Sequence, residues 1–178
     1  MRVCSPDWNR ITVNVEGIVA DIIANVRANG DRALLEYNLK FDKADLSALL
    51  VSQQEIDQAF AAVEPEFLSV LEQAAENIRA FHSKQVRNSF VIADKPGIVL
   101  GQKVTPIEKV GVYVPGGTAA YPSTVLMDTI PAKIAGCETI VMVTPPSKDG
   151  TINPVILAAA KIAGVDMIFK VGGAQVVA

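Results

Sequence analysis

Ala132-Lys133-Ile134-Ala135-Gly136 returns unchanged 28 residues later as Ala160-Lys161-Ile162-Ala163-Gly164. Each copy is followed by an acidic residue, Glu138 or Asp166, and then by an apolar run, Thr139 to Val143 or Met167 to Val171. The first run leads into Pro145-Pro146 and the second into Gly172-Gly173. A glycine that stops a helix, an apolar run too short for a helix, and a pair of turn residues predict helix, buried strand and sharp turn, in that order and repeated. One period upstream, Val110-Gly111-Val112-Tyr113-Val114 is a similar run ending in Pro115-Gly116-Gly117. Strands that are apolar throughout are covered on both faces, and βα crossovers are right-handed. The expected product is therefore a Rossmann-like α/β domain over residues 108–178, with parallel strands near 110–114, 139–143 and 167–171.

The sequence before this domain has a different period. Ile18, Ile22 and Val26 recur at helical spacing, and Asn29-Gly30-Asp31 supplies a stop and a new N-cap before Leu34, Tyr37 and Phe41. Ser52-Gln53-Gln54-Glu55 is a capping-box pattern ahead of Ile56, Phe60 and Val63. Pro65 suits a first turn, and Phe67, Leu71, Ala74, Ile78, Phe81 and Gln85 follow every three or four residues. About four helices are expected in residues 1–88. In residues 89–107, Phe90 to Ala93 and Ile98 to Val104 flank Pro96-Gly97, the centre of a type II turn, which predicts a β-hairpin. The fold class is thus α/β, a helical segment and a hairpin followed by an incomplete parallel βα domain. It is incomplete because the chain stops at Ala178, where the pattern calls for another helix. A sheet lacking a covering helix is expected to expose an apolar face and to self-associate.

Composition limits what the chain can do. With 178 residues, 50% hydrophobic and 20% charged, it has enough apolar content for a packed core. Sixteen Lys and Arg against nineteen Asp and Glu give a net charge of −3 without a basic cluster, which argues against nucleic-acid binding. Cys4 and Cys137 are too few and too far apart for a disulfide framework and fit a reducing cytoplasm. No apolar run approaches the roughly 18 residues needed to span a bilayer, so a soluble protein is expected. His82 is the single histidine. A Cys/His dyad or multi-histidine metal site needs partners that the composition does not supply.

In a parallel sheet, ligands bind at the C-terminal strand ends, in the turns that lead to helix N-termini. Three turns qualify: Pro115-Gly116-Gly117, Thr144-Pro145-Pro146 and Gly172-Gly173-Ala174-Gln175. Glycine pairs let the backbone approach a ligand, although tight turning alone is the plainer account of them. The dinucleotide fingerprint G-x-G-x-x-G is absent.

The stretch Val110-Gly111-Val112-Tyr113-Val114-Pro115-Gly116-Gly117-Thr118-Ala119-Ala120-Tyr121-Pro122-Ser123-Thr124-Val125-Leu126-Met127 resembles the signature region of histidinol dehydrogenases. Val26 to Leu34, Asn77 to His82, Ile130 to Cys137 and Val171 to Gln175 agree with that family in order. The resemblance implies a homodimeric zinc enzyme that oxidises L-histidinol to L-histidine in two NAD-dependent steps, at the end of histidine biosynthesis. It implies cofactor-binding roles for Tyr113 and Gln175, at the NAD site. The plain alternatives are a buried strand tyrosine and a helix-capping glutamine. Gln175 stands three residues from the chain end, so fraying is expected to weaken NAD binding by about 1 to 3 kcal/mol, roughly 5- to 150-fold.

The family's zinc ligands and its catalytic Glu-His pair match no position here, so no residue is assigned as a metal ligand or catalytic group. The chain by itself is expected to be inactive. His82 and Cys137 read as packing residues, and Asp42/Asp45 and Glu64/Glu66 as solvated loop or helix-start charges. Two other functions stay open at this point: a related alcohol dehydrogenase of the same superfamily, or a non-catalytic truncated assembly module.

Overall fold

The computed structural model describes residues 15–116 and 120–177. α1 (Val15–Asn29) and α2 (Asp31–Tyr37) meet at Gly30, and α2 runs on into one turn of π-helix, Asn38–Asp42. α3 (Gln53–Ala62) opens on the expected capping box. Ser52 Oγ accepts from the Glu55 N–H at 3.2 Å, and the Glu55 carboxylate accepts from the Ser52 N–H at 2.8 Å. Pro65 opens α4 (Pro65–His82), with Glu66 in its first turn and Leu71 and Ala75 buried. Phe81, on the expected apolar face, is 65% exposed and sits edge-on to His82 instead. β1 (Phe90–Lys95) and β2 (Ile98–Gln102) form the antiparallel hairpin, turning at Pro96-Gly97, and both strands are exposed along their length.

β3 (Lys109–Tyr113), α5 (Pro122–Ile134), β4 (Thr139–Thr144), α6 (Pro154–Ala163) and β5 (Met167–Lys170) then alternate. The strands lie in the order β3-β4-β5 and are parallel, with Val112 beside Met142 and Met142 beside Ile168. The two copies of the pentapeptide end α5 and α6 alike. Gly136 and Gly164 have φ of 89° and 83°, while the Cys137 N–H donates to Ala132 O at 3.1 Å and the Val165 N–H to Ala160 O at 3.0 Å. This six-residue closure needs a left-handed residue that glycine adopts without strain. Repetition in the sequence is therefore repetition of a helix stop.

The copies also bind each other. The Asp166 carboxylate, just after the second, accepts from Lys133 Nζ of the first at 2.9 Å and from the Ile140 N–H at 2.7 Å. Lys161, the counterpart of Lys133, instead donates to Asp57 on α3 at 2.7 Å and lies over the Phe60 ring.

Burial opposes ionisation of Asp166, but the Ile140 N–H and the Lys133 ammonium outweigh it and hold the carboxyl below its usual range. Glu55 is lowered in the same way: burial opposes, and Lys170 with Ser52 prevails. A carboxyl whose pKa falls on folding adds stability above its unfolded pKa, and that stability is lost as pH falls through the folded value. Thermal melts should therefore show stability dropping below about pH 4. Asp166→Ala should flatten that acid limb and cost about 1–2 kcal/mol at neutral pH, by leaving the Ile140 N–H unpaired. An acid limb identical to the parent's would contradict this role.

Val112, Ile140, Met142 and Ile168 face α5 and α6 and pack with Leu126, Ile130, Ile156 and Leu157, each no more than 4% exposed. α3 and α4 pack on α6 and α5, so Ala59, Leu71 and Ala75 join the same core. On the other sheet face, Tyr113, Val143 and Phe169 form one row. α2, residues 47–50 and Val176 line a cavity of about 490 Å³ over its β5 side. The next row, Gly111, Val141 and Met167, is less covered. Gly111 faces open space, and Met167 is 41% exposed.

Two further features depart from expectation. Leu49 to Val51 pair antiparallel with the outer edge of β5, the Val51 N–H donating to Ile168 O at 2.9 Å and the Lys170 N–H to Leu49 O at 2.8 Å. Asp42, expected as a solvated charge, has a buried Oδ2 with no hydrogen-bond partner among the described residues, and burial raises its pKa. Cys4 lies outside the described residues. Among those described, no helix is long and apolar enough to cross a membrane.

Candidate functional site

The three turns picked out from the sequence meet at the C-terminal edge of the sheet. The Val114 N–H donates to Val143 O at 2.9 Å, which carries the β3 ladder one residue further. Pro145 has no N–H to give, and β4 ends at Thr144. Its ring fills the space between the neighbouring turns. A Cβ built on Gly116 would lie 2.4 Å from Pro145 Cγ, and one on Gly172 would lie 2.8 Å from Pro145 Cβ. Real Cβ contacts are not that close, so both glycines are required by close approach. Gly117 lies outside the described residues.

Tyr113 ends β3 and is 44% exposed, which is not the buried strand tyrosine of the plain alternative. Its hydroxyl accepts from the Gly173 N–H at 3.4 Å, a long bond that spans the turn beyond β4. Gln175 lies in a single 3-10 turn, Ala174–Val176, that packs on α1 and α2, and it is 3% exposed. The expected fraying is corrected by this docking: two helices from the other end of the sequence hold the turn. Nor does Gln175 cap an α-helix. Its side chain folds over Gly173, where a Cβ would lie 2.5 Å from Gln175 Oε1. No hydrogen bond joins its amide to another described residue. The amide atoms are not among the fully buried side-chain groups left unpaired, so water or a ligand can complete their bonding.

A half-exposed aromatic ring, glycines in two of the turns and an amide with no bond to another described residue, gathered at the carboxyl ends of parallel strands, can take part in the ribose and phosphate chemistry of a dinucleotide. α5 starts nearby at Pro122 with no side-chain cap on its first turn. Metal binding does not fit. Among the described residues, no three His, Cys, Asp or Glu side chains come together.

His82 and Cys137 lie elsewhere. Both line a cavity of about 460 Å³ with Arg87, Ile107, Pro131 and Ile134, at the C-terminal end of α5. Helices of βα units run against the strands, so this groove sits at the opposite edge of the sheet from Tyr113. His82 Nδ1 is 2.7 Å from Gln85 Oε1, and Cys137 is 8% exposed. Nothing in the sequence announces the groove, because its walls come from three separated segments, 82–87, 104–107 and 131–137.

The model of the histidinol dehydrogenase family matches residues 8–178. Histidinol dehydrogenase of Clostridium acetobutylicum is 57% identical over 157 residues, covering 88% of this chain and 36% of that protein. That of Lactiplantibacillus plantarum is 52% identical over 166 residues, covering 93% and 39%. The crystal structure of histidinol dehydrogenase from Elizabethkingia anophelis superposes with a TM-score of 0.88 at 41% identity, covering 92% of this chain and 38% of that one. The chain therefore spans less than half the length of these relatives. With the family model matched over residues 8–178 and the fold matched over nine-tenths of the chain, it belongs to the histidinol dehydrogenase family.

Proposed function

We propose that this chain supplies the cofactor-facing part of a histidinol dehydrogenase, which oxidises L-histidinol to L-histidine in two NAD-dependent steps. The observation that carries the reading is the meeting of Tyr113, the Gly173 N–H and the Gln175 amide at one strand edge, in a chain of that family. When bound, NAD supplies the hydride acceptor for each oxidation. The part played by this chain is binding and orientation. Gly116 and Gly172 let their turns close on the Pro145 ring, Tyr113 offers a ring face and a hydroxyl, and Gln175 offers an amide that can both donate and accept. The family match favours this reading over a related alcohol dehydrogenase or a non-catalytic assembly module.

Zinc is proposed for the complete enzyme only, since no donor set stands in the described part of this chain. His82, the single histidine, sits at the far sheet edge and is no acceptor for a substrate proton at the crevice. The three-part division at 88 and 107 is proposed as a division of labour: helices that back the sheet, an exposed hairpin, and the α/β unit that bears the crevice. A homodimer in a reducing cytoplasm completes the proposal, and the open Gly111–Val141–Met167 row is consistent with self-association.

The test pairs binding with turnover. Calorimetry should give saturable NAD binding that Gln175→Ala weakens about 5- to 150-fold. Histidinol, NAD and added zinc should yield no steady NADH, and elemental analysis should find no stoichiometric zinc. Unchanged affinity in the variant would overturn the crevice assignment. NADH formation proportional to chain concentration, after contaminating enzyme is removed, would overturn the division of labour.

A further inference from the structure

We propose that Pro145 is a positioning residue of the crevice, and that its ring sets the separation between the turn after β3 and the turn after β5. This deepens the cofactor reading above and rests on it. β4 lies between β3 and β5, so whatever follows β4 is the natural spacer between its neighbours' turns. The residue there has a rigid ring without rotamers, and no N–H with which to continue the ladder. The ring meets both sides at once. Its Cγ and Cδ would stand 2.4 and 3.2 Å from a Cβ at Gly116, and its Cβ, Cγ and Cδ 2.8, 3.1 and 3.1 Å from one at Gly172.

Beside this wedge, the Tyr113 hydroxyl accepts from the Gly173 N–H at 3.4 Å, a length at which a small displacement breaks the bond. Gly173 in turn holds the Gln175 amide against its own backbone. The chain of contact runs from Gly116 through Pro145 to Gly172, and so to the tyrosine hydroxyl and the glutamine amide that are assigned to the cofactor. Pro145 is only partly buried, so its replacement leaves the main core intact.

The experiment compares the parent chain with Pro145→Ala, Gly116→Ala and the double variant. The readouts are NAD affinity by calorimetry, melting temperature, and the backbone amide resonance of Gly173. Tyr113→Phe marks where that resonance moves when its acceptor is gone. Pro145→Ala should melt close to the parent, move the Gly173 resonance toward its Tyr113→Phe position, and weaken NAD binding about tenfold, as loss of a preorganised contact does. Gly116→Ala should also weaken binding and should lower the melting temperature. The double variant should regain part of both, because alanine at position 145 has no Cγ for the new methyl group to meet.

An unmoved Gly173 resonance and unchanged affinity in Pro145→Ala would overturn the proposal. So would affinities that merely track melting temperature, with no recovery in the double variant. If the parent takes up no NAD while the Gly173 resonance still responds to Pro145→Ala, the cofactor reading fails and the binding role of Pro145 fails with it, while the wedge itself stands.

Discussion

Ile140→Ala should destabilise the chain by about 2–5 kcal/mol, the largest single effect expected from its core. Ile140 is fully buried on β4, the central strand, and has a neighbouring strand on each side. Its side chain fills the layer between the sheet and α5 and α6. Its N–H is held by Asp166 at 2.7 Å, so the backbone there is not free to collapse into a cavity. Truncation removes three carbons' worth of burial and leaves a void that close-packed neighbours fill poorly. For a chain of this size the melting temperature should fall by roughly 5–15 °C. A truncation such as Val91→Ala on the hairpin, at a side chain 71% exposed, should cost far less. Equal losses at the two sites would mean that the sheet is not the core.

Glu55→Ala should cost about 2–4 kcal/mol, more than most changes at a partly exposed residue. Glu55 does two jobs. It completes the capping box of α3 through Ser52, and it is the ion-pair partner of Lys170 at the end of β5. The Lys170 side chain is 12% exposed and that of Glu55 38%. Removing the carboxylate strands a buried ammonium, whereas removing the ammonium leaves a carboxylate that water can still reach. Lys170→Met should therefore be the milder change, at about 1 kcal/mol. Glu55→Gln should fall between, since it keeps an acceptor for the Ser52 N–H and loses the charge. Chemical denaturation of the three variants checks the order. A Lys170→Met loss equal to or above that of Glu55→Ala would show that the asymmetry in exposure does not govern this pair.

The repeat made the α/β half of the fold legible because it encodes a local event. Ala-Lys-Ile-Ala-Gly stops a helix with the same backbone closure wherever it stands, and the apolar run after it is too short to be anything but a strand. The capping box at Ser52 and the Pro65 start were readable for the same reason. What stayed hidden depends on distant partners. Leu49 to Val51 carry no strand signal of their own and pair only because the edge of β5 is presented to them. Phe81 has helical spacing, yet α4 outruns the surface it covers, and the ring ends in solvent. Asp42 reads as a loop charge, yet the fold buries its carboxyl, which no local pattern announces.

At the proposed site, the sequence singles out residues and leaves their environment unread. Tyr113 and Gln175 came from the family resemblance, and their shared edge followed from the βα pattern. The docking of the Gln175 turn on α1 and α2 joins positions some 150 residues apart in the chain, beyond the reach of any local rule. Position near a chain end suggested fraying, but tertiary packing decided the matter. Pro145 was visible as part of a turn, and its role as spacer became visible only with β4 placed in the middle of the sheet.

The central claim is that NAD docks at the C-terminal strand edge formed by Tyr113, Gly116, Gly172, Gly173 and Gln175. The most direct test is a titration of isotopically labelled chain with NAD, following every backbone amide. Saturable shifts should concentrate at Tyr113 to Gly116 and Gly172 to Gln175, with one dissociation constant for the set. Shifts that gather instead at His82, Val104 to Ile107 and Cys137, at the opposite edge, would contradict the account, as would a spectrum that NAD leaves unchanged.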